Sequence, residues 1–140
     1  PGWLHVAREY TERWVHQQHI RDAVGRPGIT EPHWLHPVLD TFARALPHAL
    51  RDVAALAGAT VTLRISGPAG GSWSVRREGG QWAQLPAPPD HPDTLVTMDE
   101  TTAWRAFTRG ISLDSVRAAT HVEGDLAIGE AIIQMMTILA

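Results

Sequence analysis

The sequence predicts an α+β fold, because its hydrophobic periodicity changes from helical to strand-like and back again along 140 residues. Apolar residues recur at three- and four-residue steps up to about residue 57 and then follow a two-residue alternation between residues 60 and 98. Helical spacing returns after Asp99. The expected architecture is a set of leading helices followed by a small antiparallel sheet that further helices cover.

Composition narrows the classes of function. The chain is 44% hydrophobic and 19% charged, as expected of a globular protein, and its formal net charge of -3 argues against binding to nucleic acid. It contains no cysteine, so a thiol taking part in any chemistry must come from outside the chain. No apolar run is long enough to span a membrane and no signal peptide opens the sequence, so we expect a cytoplasmic protein that does not enter a membrane. The first residue is Pro1 rather than Met, which suggests a fragment.

Two leading helices are expected. No Pro or Gly interrupts residues 5–24, whose apolar residues have helical spacing, and Gly25 and Pro27 then end the helix. A second helical stretch is predicted over residues 37–57, which Pro47 should kink or split and Gly58 should end.

Four strands and three helices complete the prediction. The strands are expected at residues 60–66, 72–78, 81–86 and 94–98, with a tight hairpin at the Gly-Gly pair that separates the second from the third. Asp99 and Ser112 are typical N-caps for two short helices. In "VEGD", Gly124 suits a tight turn and Asp125 an N-cap for the terminal helix.

The segment "ERWVHQQHIRD" (residues 12–22) carries candidate metal ligands. On a helix, Glu12, His16 and His19 lie within about 60° of one another. Glu12 and His19 are separated by roughly 10 Å along the axis, so the three cannot bind one ion. Either Glu12 with His16 or His16 with His19 could supply two ligands, and a solvated helix face explains the same pattern. Two ligands from one helix leave a zinc site incomplete.

Several motifs together resemble the maleylpyruvate isomerase family of mycothiol-dependent enzymes: "ERWVHQQHIRDAVGRPG", "WSV", "LVTMDETTAWRAFTRG" and "VEGD". These proteins join a DinB-like metal-binding helical bundle to a C-terminal domain similar to sterol carrier proteins. The resemblance implies that residues 1–32 are the last helix of a truncated bundle and that residues 33–140 are the sterol-carrier-like domain.

The resemblance also implies a site. Glu12 and His16 occupy the positions of two metal ligands, with zinc the expected ion, while His19 replaces an Asp that would hydrogen-bond to a neighbouring group of the site. The family's third ligand is a His on an earlier helix, which this sequence lacks. The metal would activate the thiol of mycothiol for isomerisation or thiol transfer, and Arg105 and Arg109 are candidates for binding an anionic substrate.

Two other functions remain open. A helix laid over a curved sheet can enclose an apolar tunnel, so the chain can be a noncatalytic module that binds an apolar small molecule, with Met135 and Met136 as adaptable walls. It can also be a helper domain that covers a catalytic bundle or dimerises with it, which leaves a homodimer open. Trp73, Trp82 and Trp104 are expected to pack in the core.

Overall fold

A computed structural model describes residues 2–108 and 110–138, without the side chains at 107, 137 and 138. Three leading helices are followed by four strands and then by helices with one short strand between them, the segregated order expected of an α+β chain. The elements are α1 (Gly2–Ala23), α2 (Pro32–Ala43), α3 (Leu46–Ala49), β1 (Thr60–Ser66), β2 (Gly71–Glu78), β3 (Gln81–Gln84), β4 (Thr94–Asp99), α4 (Glu100–Phe107), α5 (Leu113–Ala119), β5 (His121–Glu123) and α6 (Leu126–Ile138). The predicted α+β class is confirmed.

The five strands of the described chain form one sheet with the order β3-β2-β1-β4-β5. Strand β1 pairs parallel with β4, whereas the other neighbouring pairs are antiparallel, so the sheet is mixed rather than wholly antiparallel as predicted. The reason is the path of the chain. After the β2–β3 hairpin, the chain crosses to the free side of β1 and enters β4 in the direction of β1.

Strand β5 is not among the four strands that the sequence predicts. Its three residues pair with β4 through Leu95 and Glu123, Val96 and Val122, and Thr97 and His121. A run of three residues is too short to establish a two-residue alternation, and the following Gly124 pointed to a turn. The turn is nevertheless present, because Gly124 has a φ of 113°.

The second helical stretch differs from its prediction. Helix α2 ends at Ala43, α3 is a single turn that begins with Leu46 and Pro47, and residues 50–59 contain no helix. Of the two predicted effects of Pro47, the split is observed: Pro47 lies in the first turn of α3, where a helix needs no N–H from its proline. Beyond Leu50, tertiary contacts override the helix propensity of the alanines, as Gly58 N–H donates to the Arg77 carbonyl at 2.8 Å and directs the chain into the sheet.

The central strand β1 anchors the core. Its Val61, Leu63 and Ile65 are each at most 2% exposed and lie on one face of the strand. Helices α2 and α6 contribute Leu39 and Ile132, which are both fully buried. The hydrophobic core therefore draws on residues from both ends of the sequence.

The predicted N-caps are confirmed. Asp99 Oδ1 accepts a hydrogen bond from Thr102 N at 2.7 Å, and Ser112 Oγ accepts one from Ser115 N at 3.2 Å. Asp125 Oδ1 accepts one from Ala127 N at 2.8 Å at the start of α6. Each cap satisfies a backbone donor that the first turn of a helix leaves unpaired.

Helix α1 packs on the rest of the chain through its inward face. The Trp14 indole N–H donates to the Ile29 carbonyl at 2.9 Å, and Gln18 Oε1 accepts a hydrogen bond from Ile29 N at 2.9 Å. Both side chains are buried. The loop between α1 and α2 is therefore fixed to α1 through both backbone polar groups of Ile29. The division of the chain at residue 32 stays a prediction.

Candidate functional site

An apolar cavity of about 400 Å³ lies between α6 and the segment that begins at α3. Ala45, Ala49 and Val53 form one wall, while Ala131 and Met135 of α6 form the other. The side chains of Leu46 and Leu50, from the same stretch of chain, are fully buried in the core. Small alanine side chains leave the space between the two walls open.

A second cavity of about 860 Å³ continues this arrangement along the chain. It is lined by residues 54–59 and by Ile128 of α6. Ile128, Ala131 and Met135 lie three and four residues apart, so they share one face of α6. We call the two cavities together the α6 groove, since the same helix face and the continuous segment 45–59 line both of them.

Polar residues also line both parts of the α6 groove: His48, Arg51, Asp52 and Gln134 in the smaller cavity, and Asp93, Thr94 and Asp125 in the larger one. At one end, Arg51 donates from Nη1 to the His48 carbonyl at 2.6 Å, and its Nε lies 3.7 Å from the Asp52 carboxylate. At the other end, Asp93 Oδ2 accepts from the backbone N–H of Thr60 at 2.8 Å, and Asp125 caps α6. These three carboxylates already accept hydrogen bonds from backbone donors or pair with an arginine, so structural contacts account for their positions in the lining.

The sequence identified one wall of the groove and missed the other. Met135 lines the cavity as expected, whereas Met136 is fully buried in the core. The wall that the sequence does not predict includes "VAALAGA" (residues 53–59), most of which falls within the predicted second helix. No signal in the sequence marks this run as the wall of a cavity, and Leu56 within it is 86% exposed. Trp82 and Trp104 are buried in the core as predicted.

The candidate metal ligands lie on the outer surface of α1. Glu12 Oε1 pairs with Arg8 Nε at 3.0 Å, and both side chains are mostly exposed. His16 is exposed as well, and His19 Nε2 lies 3.1 Å from the Thr108 carbonyl oxygen. Within residues 2–108 and 110–138, no three His, Asp or Glu side chains come close enough together to hold a metal ion. The described donor set therefore does not fit a complete zinc site, and the roles of Glu12, His16 and His19 stay predictions.

The candidate substrate-binding arginines are only partly described. The Arg105 guanidinium lies over the Trp104 ring, and its carbon is 4.5 Å from the ring centroid. This cation–π contact accounts for the position of the Arg105 side chain. Arg109 lies outside the described residues. Anion binding by either residue stays a prediction.

Comparison with known proteins finds no matching family model and no matching curated protein. Among solved structures, the chain is similar to sterol carrier protein 2 from Yarrowia lipolytica in its apo form, with 11% identity over 77% of this chain and 92% of the other and a TM-score of 0.47. It is also similar to sterol carrier protein 2 like 2 from Aedes aegypti, with 13% identity over 69% of this chain and 94% of the other and a TM-score of 0.46. A third is the ubiquinone synthesis protein UbiJ-SCP2, with 17% identity over 76% and 92% of the two chains and a TM-score of 0.40.

The resemblance to mycothiol-dependent isomerases stays a prediction. Within the part of the chain that the structure describes, no helix combines the length and the apolar character that crossing a membrane requires. Cytoplasmic location and homodimerisation also stay predictions.

Proposed function

We propose that this chain is a noncatalytic module that binds an apolar small molecule in the α6 groove. The observation that carries the proposal is the apolar lining of the cavity between Ala49 and Val53 on one side and Ala131 and Met135 on the other. Ligand sites in proteins are mostly apolar cavities of roughly 300 to 1,000 Å³ with a few polar groups at defined places, and both parts of the groove fall within that range.

The residues of the walls support an apolar ligand rather than a polar one. Ala45, Ala49 and Ala131 offer no hydrogen-bonding group in their side chains, and Met135 adapts its shape through three rotatable bonds. Each methylene that a ligand buries against such walls contributes about 0.8 kcal/mol. A ligand with an extended hydrocarbon portion would therefore gain the most binding free energy from this groove, while its polar groups would contact the polar residues of the lining.

Binding of a fluorescent probe tests the proposal directly. We expect dansyl-undecanoic acid to bind the purified chain saturably, with the emission increase that accompanies entry into an apolar environment. Ala131→Phe should weaken this binding by more than about tenfold, because the phenyl ring occupies space that would hold about two methylenes of the ligand.

Ala127→Phe is the matched control, because Ala127 is exposed on the same helix and lies outside the lining of the groove. It should leave the affinity unchanged, and circular dichroism should show that both variants are folded. Equal affinities of the two variants, or no saturable binding to the unmodified chain, would contradict the proposed function.

A further inference from the structure

A separate cavity of about 540 Å³ lies where α1 leads through its terminal loop into α2. It is lined by Arg21 at the end of α1, by loop residues 26–29, and by Glu31 and Trp34 at the start of α2. None of these residues lines the α6 groove. The cavity therefore combines two guanidinium groups with an indole ring at a place unconnected with the proposed apolar site.

The wall of this cavity is held in place by α1. Ile29 receives a hydrogen bond at its carbonyl from Trp14 and donates its own N–H to Gln18, both at 2.9 Å. Arg21 Nη1 donates to the Pro27 carbonyl at 3.1 Å. A Cβ at Gly28 would lie 2.7 Å from Gln18 Oε1 and 3.3 Å from Trp104 Cη2, so the loop lies close against both side chains. The loop is thus a preformed wall rather than a loose connection.

Beyond the bond from Arg21 Nη1 to the Pro27 carbonyl, the two arginine side chains that line the cavity have no hydrogen-bond acceptors in the described part of the chain. Arg21 Nε is buried and has no hydrogen-bond partner. Arg26 makes no side-chain hydrogen bond or ion pair there, although its guanidinium carries five donors. Glu31 is the acidic lining residue, and it forms no ion pair with either arginine. A carboxylate bound between the arginines would accept charge-assisted hydrogen bonds from guanidinium donors that have no protein acceptor.

The start of α2 adds to this positive character. Its N-cap residue, Glu31, makes no side-chain hydrogen bond to the first turn, and α2 continues for 12 residues. Pro32 has no N–H, and the N–H groups of Trp34 and Leu35 both donate to the Glu31 carbonyl, so the start of α2 contributes the positive end of its helix dipole rather than a set of free donors. Trp34, in the first turn, is 47% exposed and offers an aromatic surface within the same cavity.

We propose that this cavity binds a small aromatic carboxylate. The carboxylate accepts hydrogen bonds from the Arg21 and Arg26 guanidinium groups near the start of α2, and the ring packs against Trp34. Arginine suits this role, because its planar donor pairs match the two oxygens of a carboxylate. The chemistry requires both parts of the ligand: an anionic group for the arginines and a flat apolar group for the indole.

Titration of ¹⁵N-labelled chain with three probes tests this site. Benzoate should shift the resonances of the Arg21 Nε–H and the Trp34 indole N–H saturably. Benzamide, which has the same shape without the charge, and inorganic phosphate, which has charge without a ring, should both bind at least about tenfold more weakly, since each lacks one charge-assisted or apolar contact. Equal binding of benzamide would overturn the anion site, and equal binding of phosphate would overturn the role of the ring.

Two variants sharpen the test. Arg26→Ala should weaken benzoate binding by roughly tenfold, because it removes one charge-assisted interaction from an exposed side chain that the fold does not need. Glu31→Gln should strengthen binding, because it removes the negative charge from the lining. Arg13→Ala is the matched control on the exposed face of α1 and should change nothing. Benzoate affinity that is the same in Arg26→Ala and the unmodified chain would overturn the proposal.

Discussion

The indole rings of Trp14 and Trp104 meet edge to face, with their centroids 5.9 Å apart and their planes 89° apart. This contact joins α1 to α4, which follows the fourth strand of the sheet. Trp14 is 6% exposed and Trp104 is 4% exposed, so both rings are almost fully removed from water. Aromatic pairs in this geometry contribute about 0.5–1.5 kcal/mol beyond the area that they bury.

Trp14→Ala should therefore destabilise the chain strongly. The loss should be about 3 to 4 kcal/mol, because the variant leaves a cavity against Trp104 and an unpaired carbonyl at Ile29. Urea unfolding followed by circular dichroism measures it. Trp3→Ala, at a residue that is 54% exposed, is the control and should cost less than about 1 kcal/mol. Similar losses for both variants would show that α1 does not depend on this contact.

Gly124→Ala should be costly for a local reason. Gly124 has a φ of 113°, and a Cβ there would lie 2.4 Å from the Asp93 carbonyl oxygen and 2.9 Å from the Thr94 Cα. Backbone strain and collision with backbone atoms should together cost about 3 kcal/mol. Gly79→Ala separates the two effects, because Gly79 also has a positive φ of 55° but open space around the added Cβ, and it should cost about 1 kcal/mol. Thermal unfolding of the two variants should rank them in this order.

Asp125→Ala should weaken the start of α6 and, with it, one end of the α6 groove. Removal of the cap on Ala127 N should cost about 1 kcal/mol, since a first-turn donor loses its partner. Asp125→Ser should recover most of this loss, because serine caps helices nearly as well. The free energies of unfolding of the three proteins give the comparison. Failure of serine to rescue would show that Asp125 acts by some other means than capping.

The ion pair between Arg117 and Glu130 should make stability depend on pH. Arg117 Nε lies 3.0 Å from both carboxylate oxygens of Glu130, and these hydrogen bonds lower the pKa of Glu130 below its ordinary value of 4.5. A lowered folded-state pKa stabilises the fold above pH 4.5, and that stabilisation is lost as the pH falls through the folded-state pKa.

Glu130→Gln measures this contribution. The difference in free energy of unfolding between the unmodified chain and the variant should be present at pH 7 and should shrink as the pH is lowered through the range below pH 4.5. It should also shrink at high salt, because both side chains are partly exposed. A difference that is constant across this range would show that the ion pair does not stabilise the fold.

Local features of the fold were predictable from the sequence. Strand β1 matches its predicted bounds, and β2 begins one residue earlier than predicted and ends at the predicted residue. Alternating side chains and the Gly-Gly turn specify such strands within a few neighbouring residues. The caps Asp99, Ser112 and Asp125 were predictable for the same reason, since a cap depends on a side chain and a backbone donor two or three residues away.

Features that depend on distant parts of the chain were not predictable. The parallel pairing of β1 with β4 joins Val61 to Thr94, a relationship that no local periodicity records. The α6 groove depends on how residues 50–59 leave the helical path and cross α6, and small apolar side chains carry no chemical signature of a site. Arg21, Arg26 and Trp34 were missed because they lie on a helix, a loop and the next helix, and only the folded loop unites them.

The position of β1 sets an order for folding. Its partner on one side, β2, follows within a few residues, whereas its parallel partner β4 is complete only at Asp99. During synthesis, the edge of β1 that pairs with β4 therefore has no partner strand until β4 has emerged from the ribosome. Non-local pairing of this kind slows folding and leaves strand edges open to other chains. A chaperone that binds extended apolar segments would meet this protein at β1, before the sheet closes around it.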